Sequence, residues 1–240
     1  MNESVLLNTW KWQPGMADFL RFPFENAKRI SQNYSQAWQD LFVLTMLDGR
    51  LNGRYLEVGA NVANFHNNTA LLNSAFSWEG ISLEYDPACL QSWMTERPDG
   101  NFVIADALAI DYREAIAQWF GPDTKRIDYL QLDIDPSFNT LKVLKRLPLD
   151  THRFSVITFE TDAYSKDFRA RDESREILRQ HGYELVAKNL CVMYAVVSPD
   201  PIPFEDWWVD PTVVDRKKID ELQQLPNLPL LPQHVLFRNS

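Results

Sequence analysis

An alternating α/β fold built on a mostly parallel sheet is what this chain predicts, on three observations. Short apolar runs recur along it, and five of them close on an acid: Glu57, Glu84, Asp106, Asp133 and Glu160. Those acids are separated by 27, 22, 27 and 27 residues, about the length of one strand, loop and crossover helix. The intervals carry helical rather than alternating patterns. Five consecutive βα units of this kind deliver their carboxyl ends to one edge of the sheet, which is where open α/β sheets form a ligand crevice.

Residues 1–32 are rich in Trp, Phe and Pro, among them Trp10, Trp12, Pro14, Phe22, Pro23 and Phe24, with no clear period. They read as an irregular or partly helical lead-in that packs on a main domain over 33–212. From Ser35, Trp38, Leu41, Phe42, Thr45 and Met46 fall on one helical face, and Ser35 is placed to cap it. The first strand, Tyr55 to Val58, runs into a turn at Gly59, and a helix is expected from Asn64 to Ala75. The second strand follows Trp78-Glu-Gly80, and Asp86-Pro87 opens a helix with proline in its first turn. The third strand, Phe102 to Asp106, precedes a helix over 112–120, anchored by Trp119 and Phe120 and stopped by Gly121-Pro-Asp.

Ile127 to Leu132 forms the fourth strand, with a helix from Phe138 to Leu147, and Phe154 to Glu160 forms the fifth. A charged helix from about Ala170 to His181 ends at Gly182. The rhythm then changes, and Tyr183 to Val186 with Val192 to Val197 fits an antiparallel pair finishing the sheet. Residues 198–211, with Pro199, Pro201, Pro203, Trp207, Trp208 and Pro211, have the composition of a lid. The two tryptophans serve either an aromatic wall of a substrate site or core packing. A tail over 213–240 carries a short charged helix and a proline-punctuated end.

Composition narrows the function. At 240 residues and 45% apolar content the chain can bury a sizeable core. A net charge of -9 argues against a nucleic-acid groove, which needs a basic footprint. Cys89 and Cys191 lie far apart and read as incidental thiols of a reducing compartment. No basic leader and no run of membrane-spanning length is seen, so a cytoplasmic protein with no membrane partner is expected.

The first loop, Glu57-Val-Gly-Ala-Asn-Val-Ala63, has one glycine and a carboxylate beside it. A pyrophosphate requires several glycines so that backbone N–H groups can close around it. This edge suits a nucleoside without phosphates that carries positive charge, and S-adenosylmethionine has both a sulfonium and an ammonium. Glu84 is then placed for a ribose diol and Asp106 for the adenine amine. Part of the acid pattern also has a plainer origin, because Asp and Glu commonly cap the helices that follow strands.

Several motifs together resemble the FkbM-type S-adenosylmethionine-dependent methyltransferases. They are Tyr34-Ser-Gln-Ala-Trp-Gln-Asp40, Leu56-Glu-Val-Gly-Ala-Asn61, Asn67-Asn-Thr69, Trp78-Glu-Gly-Ile-Ser-Leu-Glu-Tyr-Asp-Pro87, Ile127-Asp-Tyr-Leu-Gln-Leu-Asp-Ile-Asp135 and Phe204-Glu-Asp-Trp-Trp208. The resemblance implies a Rossmann-like class I methyltransferase fold, seven strands with the last antiparallel and helices on both faces. It implies cofactor contacts at Glu57, Gly59, Ala60 and Asn61, at Glu84 and Tyr85, at Asp106 and Ala107, and at Asp133. Ala63 stands where the family usually has glycine, and Asp133-Ile-Asp-Pro136 where Asp-x-Glu-Gly is common.

Methyl transfer to a hydroxyl of a small molecule or glycan needs alignment and either a base or a metal. Asp133, Asp135, Glu160 and Asp162, with His181 further on, are the candidates for catalysis. Asp133, Glu160 and Asp162 are also candidate oxygen ligands for Mg2+. Two other readings stay open: a non-catalytic cofactor-binding or assembly module on the same fold, and a nicotinamide-dependent oxidoreductase, which the missing glycines disfavour.

Overall fold

A computed structural model describes residues 11–193, 197–226 and 229–238. Seven strands form one sheet in the order β3-β2-β1-β4-β5-β7-β6. They are β1 (Arg54–Val58), β2 (Glu79–Glu84), β3 (Phe102–Ile104), β4 (Arg126–Leu132), β5 (Arg153–Glu160), β6 (Glu184–Val192) and β7 (Ile202–Val209). The pairings from β3 through β5 are parallel, while β7 runs antiparallel to both β5 and β6. That is the class I methyltransferase sheet, in which a reversed last strand is inserted beside β5.

The helices are α1 (Gln39–Met46), α2 (Ala70–Phe76), α3 (Leu90–Glu96), α4 (Tyr112–Phe120), α5 (Ser137–Arg146), α6 (Arg169–Gln180), α7 (Arg216–Gln223) and α8 (Pro232–Leu236). Because side chains alternate along a strand, β1 sends Tyr55 into one core and Leu56 and Val58 into another. The first core holds α1, α2, α7 and α8 with the segment from Trp12 to Ile30, and the second holds α4, α5 and α6. Helix α6 shows why a charged sequence can pack: only Ala170, Ser174 and Leu178, one stripe at four-residue spacing, are buried.

Four expectations change. Helix α1 is buried on every residue, because the segments at either end of the chain cover its outer side. Trp38, not Ser35, takes the N-cap position, but Ser35 Oγ still accepts the first-turn Asp40 N–H at 3.3 Å and donates to Asp40 Oδ1 at 2.5 Å. The helix expected from Asn64 begins only at Ala70, since Asn61 and His66 take left-handed backbone conformations and Asn67 and Thr69 turn inward. Trp119 and Phe120 are only partly buried, packed against the edge of the second core.

The largest change is at the end of the sheet. The partner of β6 is Ile202–Val209 rather than Val192 to Val197, part of which lies outside the described residues. The stretch read as a lid is an interior strand. Its prolines are compatible with that place because Pro203 sits beside the register irregularity between Leu190 and Cys191. Trp207 and Trp208 are both fully buried, on opposite faces, and Phe42 stacks on Trp207 at 4.2 Å. Trp10 lies outside the described residues.

Candidate functional site

A polar row crosses the sheet just inside its carboxyl edge. Ser82, Glu57, Gln131, Thr158 and Trp207 are in register on β2, β1, β4, β5 and β7. Glu57 is buried, and its Oε2 accepts from Ser82 Oγ at 2.6 Å, Thr69 Oγ1 at 2.9 Å and Asn67 Nδ2 at 3.3 Å. Burial raises its pKa, and the nearby Arg97 guanidinium opposes that rise. Arg97 Nη1 also donates to Asn67 Oδ1 at 2.9 Å and to the Ala63 carbonyl at 3.1 Å, so one buried cation ties the first loop to the acid behind it. The sequence reading did not single out Arg97, because it lies after α3, far from the loop it fixes.

Gly59 turns the chain with φ 84°, and a Cβ on it would lie 1.6 Å from the Asp133 carbonyl oxygen. Glycine is required both for the backbone conformation and for this close approach of β1 to β4. The loop's N–H groups are turned inward: Gly59 and Ala60 donate to the Leu83 carbonyl at 3.0 and 2.9 Å, and Asn61 donates to Glu84 Oε2 at 2.7 Å. Glu84 Oε1 takes the Tyr85 and Asp86 N–H groups at 2.7 and 3.0 Å. A carboxylate has about four acceptor positions, and with three taken Glu84 retains one, on Oε2, for a hydroxyl at the crevice.

Two cavities that share Gly59, Glu84, Tyr85, Ile134 and Asp135 lie along this edge. The smaller, about 330 Å³, has apolar walls of Leu83, Ala105, Ala107, Leu108 and Ile134, with Asp106 and Asn139 also lining it. Asp106 Oδ1 accepts the Leu108 N–H at 2.8 Å. The slot thus pairs apolar walls with a polar rim. The larger, about 700 Å³, reaches Glu57, Ala60, Asn61, Asp133 and Glu160, together with Gln36, His66, Asn68, Gln131, Tyr164, Val192, Ile202 and Phe204. Neither cavity is lined by a lysine or an arginine among the described residues.

Carboxylate crowding dominates the electrostatics. Burial pushes the Asp133 carboxyl up to about 8, helped by the charges of Asp135, Asp162, Glu57 and Glu84. Burial and then Asp162 raise Asp135. Tyr164 is pushed up to about 12 by burial and by Asp162. Such a site favours a cation, whose arrival returns the carboxyls to their charged form.

Of the sequence candidates, Glu57, Gly59, Ala60, Asn61, Glu84, Tyr85, Asp133, Asp135 and Glu160 border the larger cavity, and Asp106 and Ala107 the smaller. Two line neither cavity, although the charge of one of them, Asp162, reaches Asp133 and Asp135. Asp162 accepts the Ser137 N–H at 3.1 Å, at the start of α5. His181 ends α6, where Nδ1 meets the Ile177 carbonyl at 2.9 Å and its own carbonyl accepts from Arg153 at the start of β5, so it lies at the opposite edge of the sheet from the crevice. Among the described residues no three His, Cys, Asp or Glu side chains converge as a cation site, so the grouping of Asp133, Glu160 and Asp162 around Mg2+ is not formed. Gln131 was missed, although its place two residues before Asp133 puts it on the Glu57 face. Gln36 and Asn68 stood inside the quoted motifs without a role of their own.

No protein-family model and no curated protein matches the sequence. Solved structures similar to the chain include an S-adenosylmethionine-dependent O-methyltransferase from Thermotoga maritima, at 14% identity over 77% of this chain and 68% of that one, with a TM-score of 0.46. Another is fibrillarin from Aeropyrum pernix with natively bound S-adenosylmethionine, at 14% identity over 67% of each chain and a TM-score of 0.43. A third is a TehB-like S-adenosylmethionine-dependent methyltransferase from Corynebacterium glutamicum, at 13% identity over 72% of this chain and 87% of that one, with a TM-score of 0.41. The chain's fold class rests on its own strand order and on the reversed β7.

Proposed function

We propose that this protein is an S-adenosylmethionine-dependent methyltransferase acting on a hydroxyl oxygen of a small molecule or glycan. The observation that carries the reading is the strand-edge crevice itself: two cavities sharing one rim, rich in carboxylates, with first-loop N–H groups already engaged by Leu83 and Glu84. A dinucleotide would bring phosphates to a loop with few donors to offer and several negative charges. A nucleic-acid acceptor meets the same objection.

When bound, the cofactor supplies an electrophilic methyl group on a sulfonium. The chain's part is to hold adenine between Leu83, Ala107 and Ile134, the ribose at Glu84, and the positive end toward Asp133. An acceptor hydroxyl held in line with that methyl would need its proton taken up by a carboxylate of the larger cavity. Asp133 is assigned that task, since it lines the larger cavity and the bound cation would hold it in the charged form that can take a proton.

Calorimetry with S-adenosylmethionine and S-adenosylhomocysteine tests the reading. We expect both to bind, and Glu84→Ala to weaken them by about tenfold, the scale of one lost charged hydrogen bond. Absence of binding at millimolar ligand would rule the function out, and an unchanged affinity in Glu84→Ala would remove the ribose assignment.

A further inference from the structure

The larger cavity has two sides with different chemistry. Toward β1 and β2 lie Glu57, Glu84 and Asp86, the side assigned above to the cofactor. Toward β5, β7 and β6 lie Glu160, Tyr164, Val192, Ile202 and Phe204, and Asn68 lines the same cavity. Asn68 is 6% exposed, and its Oδ1 is buried with no hydrogen-bond partner. A buried acceptor left unpaired is costly and calls for a donor. The walls offer no basic side chain to an acidic ligand, and His66, whose pKa burial lowers, adds no positive charge at neutral pH. With one cationic end of the cofactor balanced by Asp133, the acceptor side still presents the Glu160 carboxyl group in a partly enclosed space, where an ion pair is screened far less than on the surface.

Building on the methyltransferase reading, we propose that the acceptor carries a protonated amine next to the hydroxyl that is methylated. Glu160 is its counter-ion, and Asn68 Oδ1 accepts one of its N–H groups. Acceptors bearing a carboxylate or phosphate at that position are turned away, because two negative charges would share the cavity without a cation between them. The class is an amino alcohol or an amino sugar, and Glu160 is the residue that selects it.

The test uses three sugars of one ring shape, D-glucosamine, D-glucose and D-glucuronate, offered together below neutral pH to the protein saturated with S-adenosylhomocysteine. Saturation-transfer NMR should show glucosamine bound in preference to glucose by about tenfold, the factor one charge-assisted hydrogen bond gives, and glucuronate not at all. Glu160→Gln should bring glucosamine down to the level of glucose while leaving S-adenosylhomocysteine affinity in place. Asn68→Ala, a second variant on a different element, should reduce the preference in part. Equal signals from all three sugars, a preference for glucuronate, no signal from any, or a preference unmoved by Glu160→Gln would overturn the proposal. Calorimetry on the same samples separates the two levels of failure: if S-adenosylhomocysteine binds and the sugars are not discriminated, only the acceptor class falls. If it does not bind, the methyltransferase reading falls and takes the acceptor class with it.

Discussion

Asp133 ties the site's electrostatics to its chemistry. Its carboxyl, held up to about 8, is largely protonated at neutral pH in the free protein. A bound sulfonium and ammonium stabilise the charged form and pull the pKa down. Cofactor binding at pH 7 is therefore expected to expel up to about one proton, by linkage. Titration calorimetry in two buffers of different ionisation enthalpy measures this, and Asp133→Asn should abolish most of it. Equal proton release by the two proteins would mean that Asp133 does not sense the cofactor. Glu57 plays a different part, since Ser82, Thr69 and Asn67 already hold it and Arg97 faces it. The sequence placed both acids at strand ends. It could not tell the buried, bonded one from the crowded one, because that difference depends on residues from three other elements.

Strand β7 is the element on which sequence and structure part. Its proline and paired tryptophans resemble a surface segment, yet it lies between β5 and β6 and is buried over most of its length. Its acids show how: Asp206 is fully buried and receives Arg175 through Nε at 2.6 Å and Nη2 at 2.8 Å, with the Asn189 N–H at 2.8 Å. Arg175 comes from the polar side of α6, which the charged helix pattern alone would assign to solvent. Removing one partner of a buried pair leaves the other charge uncompensated. Arg175→Met should thus lower stability by about 3–5 kcal/mol, read as a shift of the urea midpoint. A loss below about 1 kcal/mol would place the pair among ordinary surface bridges.

Across the whole molecule, acids held inside set the response to pH. Burial pushes Glu205 up to about 8, against the 2.7 Å bond it accepts from Trp207 Nε1, and the Asp133 charge adds to the rise. An acid whose folded pKa is raised binds its proton more tightly folded than unfolded, so its contribution is fully present at low pH and is lost as pH rises toward about 8. Asp210 acts in the opposite sense. Arg153 and Arg126 hold its carboxyl well below the usual range despite burial, so its contribution is present above the unfolded pKa and lost in acid. Glu205→Gln, which keeps an oxygen for Trp207, should raise the Tm above pH 8 by about 2–4 °C for each kcal/mol of relieved strain and leave it unchanged near pH 4. A gain of equal size at both pH values would show that ionisation is not its source. By itself the sequence determined the βα order, the single-glycine first loop and the gathering of Glu57, Glu84, Asp106, Asp133 and Glu160 at one edge, because these follow from strand periodicity and local turn chemistry. Only the tertiary structure decided which strand closes the sheet, that His181 faces away, that no three acids converge as a cation site among the described residues, and that Arg97, Gln131 and Asn68 belong to the crevice. Those outcomes turn on packing between segments distant in sequence, where burial and partner geometry override the local pattern.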